Sequence, residues 1–213
     1  MKAIVLGATG ATGKDMMQCL LAEPDVEHVL VLARRTVVYN DPRVEVLVVD
    51  FDKPETWAKQ VEGDVLYSML GTTRATAGSK EAQWRVDFTY QYEVAKAAKE
   101  NGVRTMVLMS AMGANAQSTF FYSRMKGELE DKVLALGFER TVIVQPPSLI
   151  RKDTDRPSER LSIGIIRAFN RIYLMRRLTP VTTEAVAKVM LSQSRIEAPA
   201  VSYITFMAGQ VVR

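Results

Sequence analysis

Along the chain, short apolar runs alternate with stretches whose apolar residues recur at helical spacing. Runs at 2–6, 28–32, 44–49, 65–70, 105–110, 141–145 and 201–206 are rich in Val, Ile, Leu and Met. Most are continuous rather than alternating, and a strand apolar on both faces belongs in a parallel sheet covered by helices. Between them, residues 88–101 and 122–136 carry the clearest helical periodicity. Gly102 and Gly137 follow their last turns, where a helix C-terminus takes a residue tolerant of positive φ. The pattern predicts an α/β fold, a doubly wound parallel sheet of about seven strands. The charged stretch 151–160, with Pro157, reads as a surface loop rather than a linker. One domain spanning 1–213 is expected, with a small substrate-side cap over 151–180.

Composition narrows the class. The 213 residues are 47% hydrophobic and 24% charged, which excludes a disordered or fibrous chain. No run approaches the roughly 18 consecutive apolar residues of a membrane span, so no stable membrane insertion is expected. The first apolar run breaks at once into Gly and Thr and meets Lys14 and Asp15, leaving no export-length core. The single cysteine, Cys19, cannot form an internal disulfide, which fits a reducing compartment; a cytoplasmic location is expected. The net charge is +4, and residues 151–213 hold 11 Lys/Arg against 5 Asp/Glu. That excess, including Arg167, Arg171, Arg176 and Arg177, reads either as steering for an anionic substrate or as a solvated helix face. Interleaved aromatics and a recognition helix are missing, so nucleic acid is not an expected partner.

The first chemical motif is Gly7-Ala-Thr9-Gly10-Ala11-Thr12-Gly13, directly after the first strand and before a helix. A dinucleotide diphosphate rests on bare backbone N–H groups at a helix N-terminus, where the dipole favours negative charge. A Cβ in that turn would hold the phosphate off and would separate helix from strand. The second strand ends in Arg34-Arg35 with no acid, which favours the 2′-phosphate of NADP(H) over the 2′-hydroxyl of NAD(H). After the third strand, Asp50-Phe51 offers a carboxylate for an adenine amino group. After the fourth, Gly71-Thr72-Thr73 is a small-residue turn that lets backbone pass close to a cofactor.

The second motif is Tyr122-Ser-Arg-Met-Lys126, a phenol and an ammonium four residues apart on one helix face, following a strand that ends at Ser110. Delivering hydride to a carbonyl leaves an alkoxide that needs a positioned acid. A free phenol, with a pKa of about 10, is too weak an acid to cycle easily near neutrality. A nearby lysine cation is expected to lower that pKa, and Ser110 to orient the substrate oxygen.

These motifs occur in order with Gly71-Thr-Thr-Arg74 and Ala77-Gly78, Arg85-Val-Asp87, Lys126-Gly127-Glu128 and Gln145-Pro-Pro147. Together they resemble the Tat-interacting oxidoreductase family of atypical short-chain dehydrogenases/reductases, most closely over residues 1–150. The resemblance implies a Rossmann fold holding NADPH through Gly7, Gly10, Gly13 and Arg34 or Arg35, with Ser110, Tyr122 and Lys126 as triad. It also implies that Pro147 and Ser148 pass beside the nicotinamide carboxamide. Conventional members carry a catalytic Asn on the fourth helix, where this sequence has Asp87. The chain is too short for the large substrate domain of sugar-nucleotide epimerases, so a small or extended carbonyl compound is the expected substrate, acted on by a monomer or homodimer. A cofactor-bound regulatory or scaffold protein with little turnover is the alternative.

Overall fold

The computed structural model describes residues 1–150, 179–196, 200–207 and 210–212. Eight strands form one twisted sheet: β1 (Lys2–Leu6), β2 (His28–Ala33), β3 (Val44–Val48), β4 (Val65–Ser68), β5 (Thr105–Met109), β6 (Arg140–Gln145), β9 (Val201–Met207) and β10 (Gln210–Val212). Two short strands, β7 (Leu149–Ile150) and β8 (Val181–Thr182), pair with each other outside it. Across the sheet the order is β3-β2-β1-β4-β5-β6-β9-β10. All neighbours are parallel except the β9–β10 hairpin. This is the doubly wound α/β sheet expected, with one strand more than the apolar runs indicated.

The strands are apolar on both faces because both faces are covered. In β1, Ala3 and Val5 enter one core while Ile4 and Leu6 enter the other. On the first face lie α1 (Ala11–Ala22), through Met16, Met17 and Leu20, and α6 (Thr183–Ser194), through Val186, Ala187 and Met190. On the second lie α4 (Tyr90–Glu100) and α5 (Phe121–Ala135), through Val94, Ala98, Leu129 and Val133. Gly102, at φ +83°, closes α4: its N–H reaches Lys99 O and Val103 N–H reaches Ala98 O, satisfying carbonyls the helix leaves over. Helix α6 was not anticipated from the sequence; Thr182 caps it by accepting from Ala185 N–H at 3.1 Å. Apart from Thr179 and Pro180, the expected cap over 151–180 lies outside the described residues.

The chain runs from β1 to one side of the sheet and returns through β4 on the other, so the carboxyl ends of β1 and β4 part at a topological switch point. A crevice opens there in folds of this kind. Between β4 and β5 run α2 (Arg74–Ala77), α3 (Lys80–Trp84) and one π-helical turn at Arg85–Thr89, which leads straight into α4. Such i→i+5 turns re-aim side chains and recur at functional sites. Here Gln91 stabilises the turn: its Nε2 donates to Asp87 O at 2.6 Å and its Oε1 accepts from Ser68 Oγ at 2.7 Å.

Candidate active site

The glycine turn is built as the sequence implied. Gly7 has φ +92°, and a Cβ there would meet the Leu70 amide nitrogen at 2.7 Å. A Cβ on Gly13 would overlap Gly7 O and Ala8, so this glycine lets α1 seat against the turn. Gly10 is the N-cap residue, and a Cβ on it would meet only Gly7 O, at 3.3 Å, with open space beyond. No side chain caps α1, and its first turn holds no acidic residue. Its leading amides therefore offer an anion site of the kind a diphosphate needs.

Two cavities flank this turn. One, of about 390 Å³, is lined by Gly7, Thr9, residues 31–37 and Phe51. Arg34 and Arg35 stand exposed on its wall, and neither forms an ion pair with a described residue. The other, of about 280 Å³, takes Gly10, Ala11 and Thr12 from α1 and Leu70, Gly71, Thr72, Thr73 and Thr76 from the β4 side. Met109 and Ser110 close β5, and Tyr122, Lys126 and Leu149 complete the wall. Besides Gly13, which packs α1 onto the turn, three expected residues lie apart from both cavities. The Asp50 carboxylate accepts from Asp52 N–H at 3.1 Å and sits 3.7 Å from Lys53 Nζ, so it serves its own turn. Pro147 is buried and Ser148 exposed, with Ser148 O accepting from Val181 N–H; their neighbour Leu149 lines the cleft instead.

Ser110, Tyr122 and Lys126 thus share one cleft with Asp87, the residue that stands where conventional members carry a catalytic Asn. Asp87, 1% exposed, accepts from Thr72 N–H at 2.8 Å and lies 3.7 Å from Lys126 Nζ. Gly71 leaves room for it: a Cβ there would stand 3.3 Å from Asp87 Oδ1. Burial raises the Asp87 pKa against the opposing pull of Lys126, and burial lowers that of Lys126 against the pull of Asp87 and Glu130. Tyr122 keeps 45% of its surface exposed at the open mouth of the cleft. Its phenol is nevertheless pushed up to about 12, by desolvation first and the Asp87 charge second. The expectation of a lowered Tyr122 pKa is therefore corrected: burial of the phenol dominates, and the Asp87 charge adds to the rise. Ser110 lines the cleft, and its Oγ is buried without a well-formed hydrogen bond.

A residue just outside the cleft also bears on it. Gly127 is buried where the loop after β5 crosses α5, and a Cβ there would overlap the backbone of Asn115 and Ala116. The only histidine, His28, sits at the start of β2 with Nε2 3.1 Å from Glu45 Oε2. Among the described residues, no helix is long and apolar enough to cross a membrane.

Comparison with known proteins agrees with this geometry. A family profile described as NAD(P)H-binding matches residues 7–194. The protein FMP52, mitochondrial, of Candida albicans is 35% identical over 198 residues, covering 90% of this chain and 86% of that protein. Its counterpart in Eremothecium gossypii is 41% identical over 152 residues, covering 70% and 67%. Among solved structures, MoeE5 in complex with UDP-glucose and NAD superposes with a TM-score of 0.75 at 14% identity, over 100% of this chain and 78% of that one. UDP-glucuronic acid 4-epimerase from Bacillus cereus, in complex with NAD, gives 0.74 at 12%, over 99% and 78%. At such identities these structures speak for the fold, a Rossmann sheet. The relatives are named as mitochondrial, which overturns the cytoplasmic expectation: composition and one cysteine report a reducing setting without saying which compartment supplies it. The superfamily part of the sequence resemblance holds, and the relatives named above are FMP52 proteins.

Proposed function

The chain belongs to the NAD(P)H-binding family, and from that premise we propose that it is a mitochondrial NADP(H)-dependent reductase of a small carbonyl compound. The observation that carries the reading is the Ser110 hydroxyl, buried and unpartnered on the wall of the cleft that Tyr122 and Lys126 also line. A buried donor without an acceptor costs about 1–3 kcal/mol, a penalty that a substrate oxygen relieves.

The residues present fit the cofactor. The bare amides after Gly10 suit the diphosphate, Arg34 and Arg35 suit a 2′-phosphate, and the turn at Gly71, Thr72 and Thr73 suits close backbone passage. Lys126 belongs at the nicotinamide end. Bound there, the nicotinamide supplies the hydride. Ser110 donates its hydroxyl hydrogen to the carbonyl oxygen and fixes its direction. Tyr122, kept protonated by its raised pKa, gives its proton to the oxygen as the alkoxide forms; the phenolic O–H bond breaks as the product O–H bond forms. Lys126 places a positive charge beside the resulting phenolate, and Asp87 holds that ammonium in place.

One observation favours a second reading, a cofactor-bound regulatory protein with little turnover: burial and Asp87 both act to raise the Tyr122 pKa. Isothermal titration with NADPH and NADH, followed by a carbonyl screen with wild type and Tyr122→Phe, separates the two. An enzyme shows NADPH oxidation that falls roughly a hundredfold or more in Tyr122→Phe. Tight NADPH binding with no Tyr122-dependent oxidation of any carbonyl assigns the chain to the second reading.

A further inference from the structure

Two charged side chains, Asp87 and Lys126, line the reaction cleft; every other lining residue among those described is uncharged. Both are buried, at 1% and 3% exposure. Charges so deep are seldom tolerated unless opposed, and here each opposes the other, Lys126 Nζ standing 3.7 Å from Asp87 Oδ1. That separation exceeds the about 2.7–2.9 Å of a charge-assisted hydrogen bond, so the two act on the cleft as neighbouring but distinct charges.

Asp87 is held where it is. Its Oδ2 accepts from Thr72 N–H at 2.8 Å, its main-chain carbonyl accepts from Gln91 Nε2 at 2.6 Å, and Gln91 Oε1 accepts from Ser68 Oγ at 2.7 Å. These bonds tie the carboxylate to β4 and to the turn after it, whose Gly71, Thr72 and Thr73 share the same wall. Lys126 projects from α5, one helical turn after Tyr122. A carboxylate and an ammonium are thus fixed in one cavity of about 280 Å³. Glu130, one turn further along α5, adds a weaker negative field on Lys126 and lines a different cavity.

The cofactor assigned above has two forms that differ in charge at the nicotinamide ring, which is a cation when oxidised and neutral when reduced. An ammonium alone in this cleft repels the oxidised ring, a carboxylate alone attracts it, and neither acts through charge on the reduced ring. In a site of effective dielectric about 20, a unit charge alters the binding of a second charge about 10 Å away by roughly tenfold. Side by side, the two charges nearly cancel.

We propose that Asp87 determines how the site discriminates between the oxidation states of its cofactor: by cancelling the Lys126 charge, it removes the penalty that the ammonium alone would place on the oxidised nucleotide. The proposal rests on the reading that the nicotinamide end lies at Lys126, and not on turnover. In a reductase the consequence is that the lysine needed beside Tyr122 does not bias the site against the spent nucleotide. In a binding protein the consequence is that occupancy does not follow the redox state of the nucleotide pool through this charge.

The test is binding rather than catalysis. NADP⁺ and NADPH are titrated calorimetrically near neutral pH into wild type, Asp87→Asn, Lys126→Met and Asp87→Asn/Lys126→Met. Each titration is repeated in two buffers of different ionisation enthalpy, so that protons released on binding are counted. Loss of position at either residue weakens both nucleotides, whereas the ratio of their dissociation constants isolates the charge. In Asp87→Asn the ratio is expected to move roughly tenfold against NADP⁺, in Lys126→Met roughly tenfold toward it, and in the double variant to return within about threefold of wild type. Where a stranded group answers by changing its protonation, a proton leaves on binding NADP⁺ and not NADPH, which is the same response to the same charge. If Asp87→Asn does not fold, the comparison of Lys126→Met with the double variant reads the Asp87 charge by itself. Ratios within about twofold of wild type in every folded variant, with no proton released, overturn the proposal and leave the cofactor site standing, because both nucleotides have bound. Failure of the wild type to bind either nucleotide removes the cofactor reading, and the proposal with it.

Discussion

Asp87→Asn tests the electrostatics of the cleft in the protein without cofactor. The change keeps the shape and the acceptor for Thr72 N–H, so it removes little but charge. At the Nζ–Oδ1 separation of 3.7 Å, an effective dielectric of about 20 gives a gross attraction of about 4–5 kcal/mol. Desolvation of both groups offsets much of this in the intact pair, but removing one partner strands the other. The side chain of Lys126 is 4% exposed, and breaking a pair so buried costs about 3–5 kcal/mol. A loss of about 3 kcal/mol, read by urea unfolding near neutrality, corresponds to a fall in Tm of roughly 6–12 °C for a chain of this size.

The pH dependence supplies a stricter criterion. Burial already lowers the Lys126 pKa, and losing Asp87 lowers it further. The folded variant then binds fewer protons than the unfolded chain between that depressed value and the ordinary lysine pKa, so its stability rises with pH across the interval. The penalty of Asp87→Asn is therefore largest near neutrality and shrinks toward pH of about 10. In the double variant Asp87→Asn/Lys126→Met, the destabilisation is less than the sum of the two single changes. A penalty below about 1 kcal/mol that does not vary with pH, or strict additivity in the cycle, refutes the buried ion pair.

Other consequences are more quickly checked. Ultraviolet difference titration of wild type against Tyr122→Phe places the Tyr122 phenolate near pH 12, and Asp87→Asn brings it down, because the charge that raises it has gone. Arg34→Ala or Arg35→Ala weakens NADPH about tenfold or more, at about 1.5–3 kcal/mol for a charge-assisted contact, and leaves NADH unchanged in isothermal titration. Equal losses for both nucleotides disprove the phosphate assignment. Gly127→Ala forces a methyl into the backbone at Asn115 and Ala116, so thermal melts show a loss of about 3 kcal/mol or more.

Strand–helix alternation was readable because it depends on local apolar content. The two-faced burial of β1 or β2 needs no knowledge of the neighbour that covers it, only that every position after Lys2 or His28 is apolar. Helix α6 escaped notice although its signals are present: Thr182 is a good cap, and Val186, Ala187, Met190 and Leu191 recur at helical spacing. The β7–β8 pair escaped because a two-residue strand carries no period at all. The glycine turn was legible because Gly10 and Gly13 answer to Gly7 and Ala8 within the turn itself, while only Gly7 makes room for a distant segment, at Leu70.

The charged interior of the cleft answers to longer-range causes. Tyr122 and Lys126 share a helix face by spacing alone, but their proton affinities are set by groups delivered from elsewhere. Asp87 comes from another helix, and its delivery depends on one i→i+5 turn at Arg85–Thr89. A regular α-helical turn would advance each residue by 1.5 Å and roughly 100°, so removing the extra residue rotates everything on one side of the bulge relative to the other. No residue in Arg85-Val-Asp87-Phe-Thr89 announces such a turn; what holds it is Gln91, bonded to Asp87 O and to Ser68 across the strand β4. The lysine therefore meets its counter-charge only after β4, the bulge and α5 have all packed. Motif chemistry predicted a lowered phenol and the folded site raises it for a related reason: the motif specifies the pair, while burial first and the Asp87 charge second, both products of tertiary packing, tune it upward.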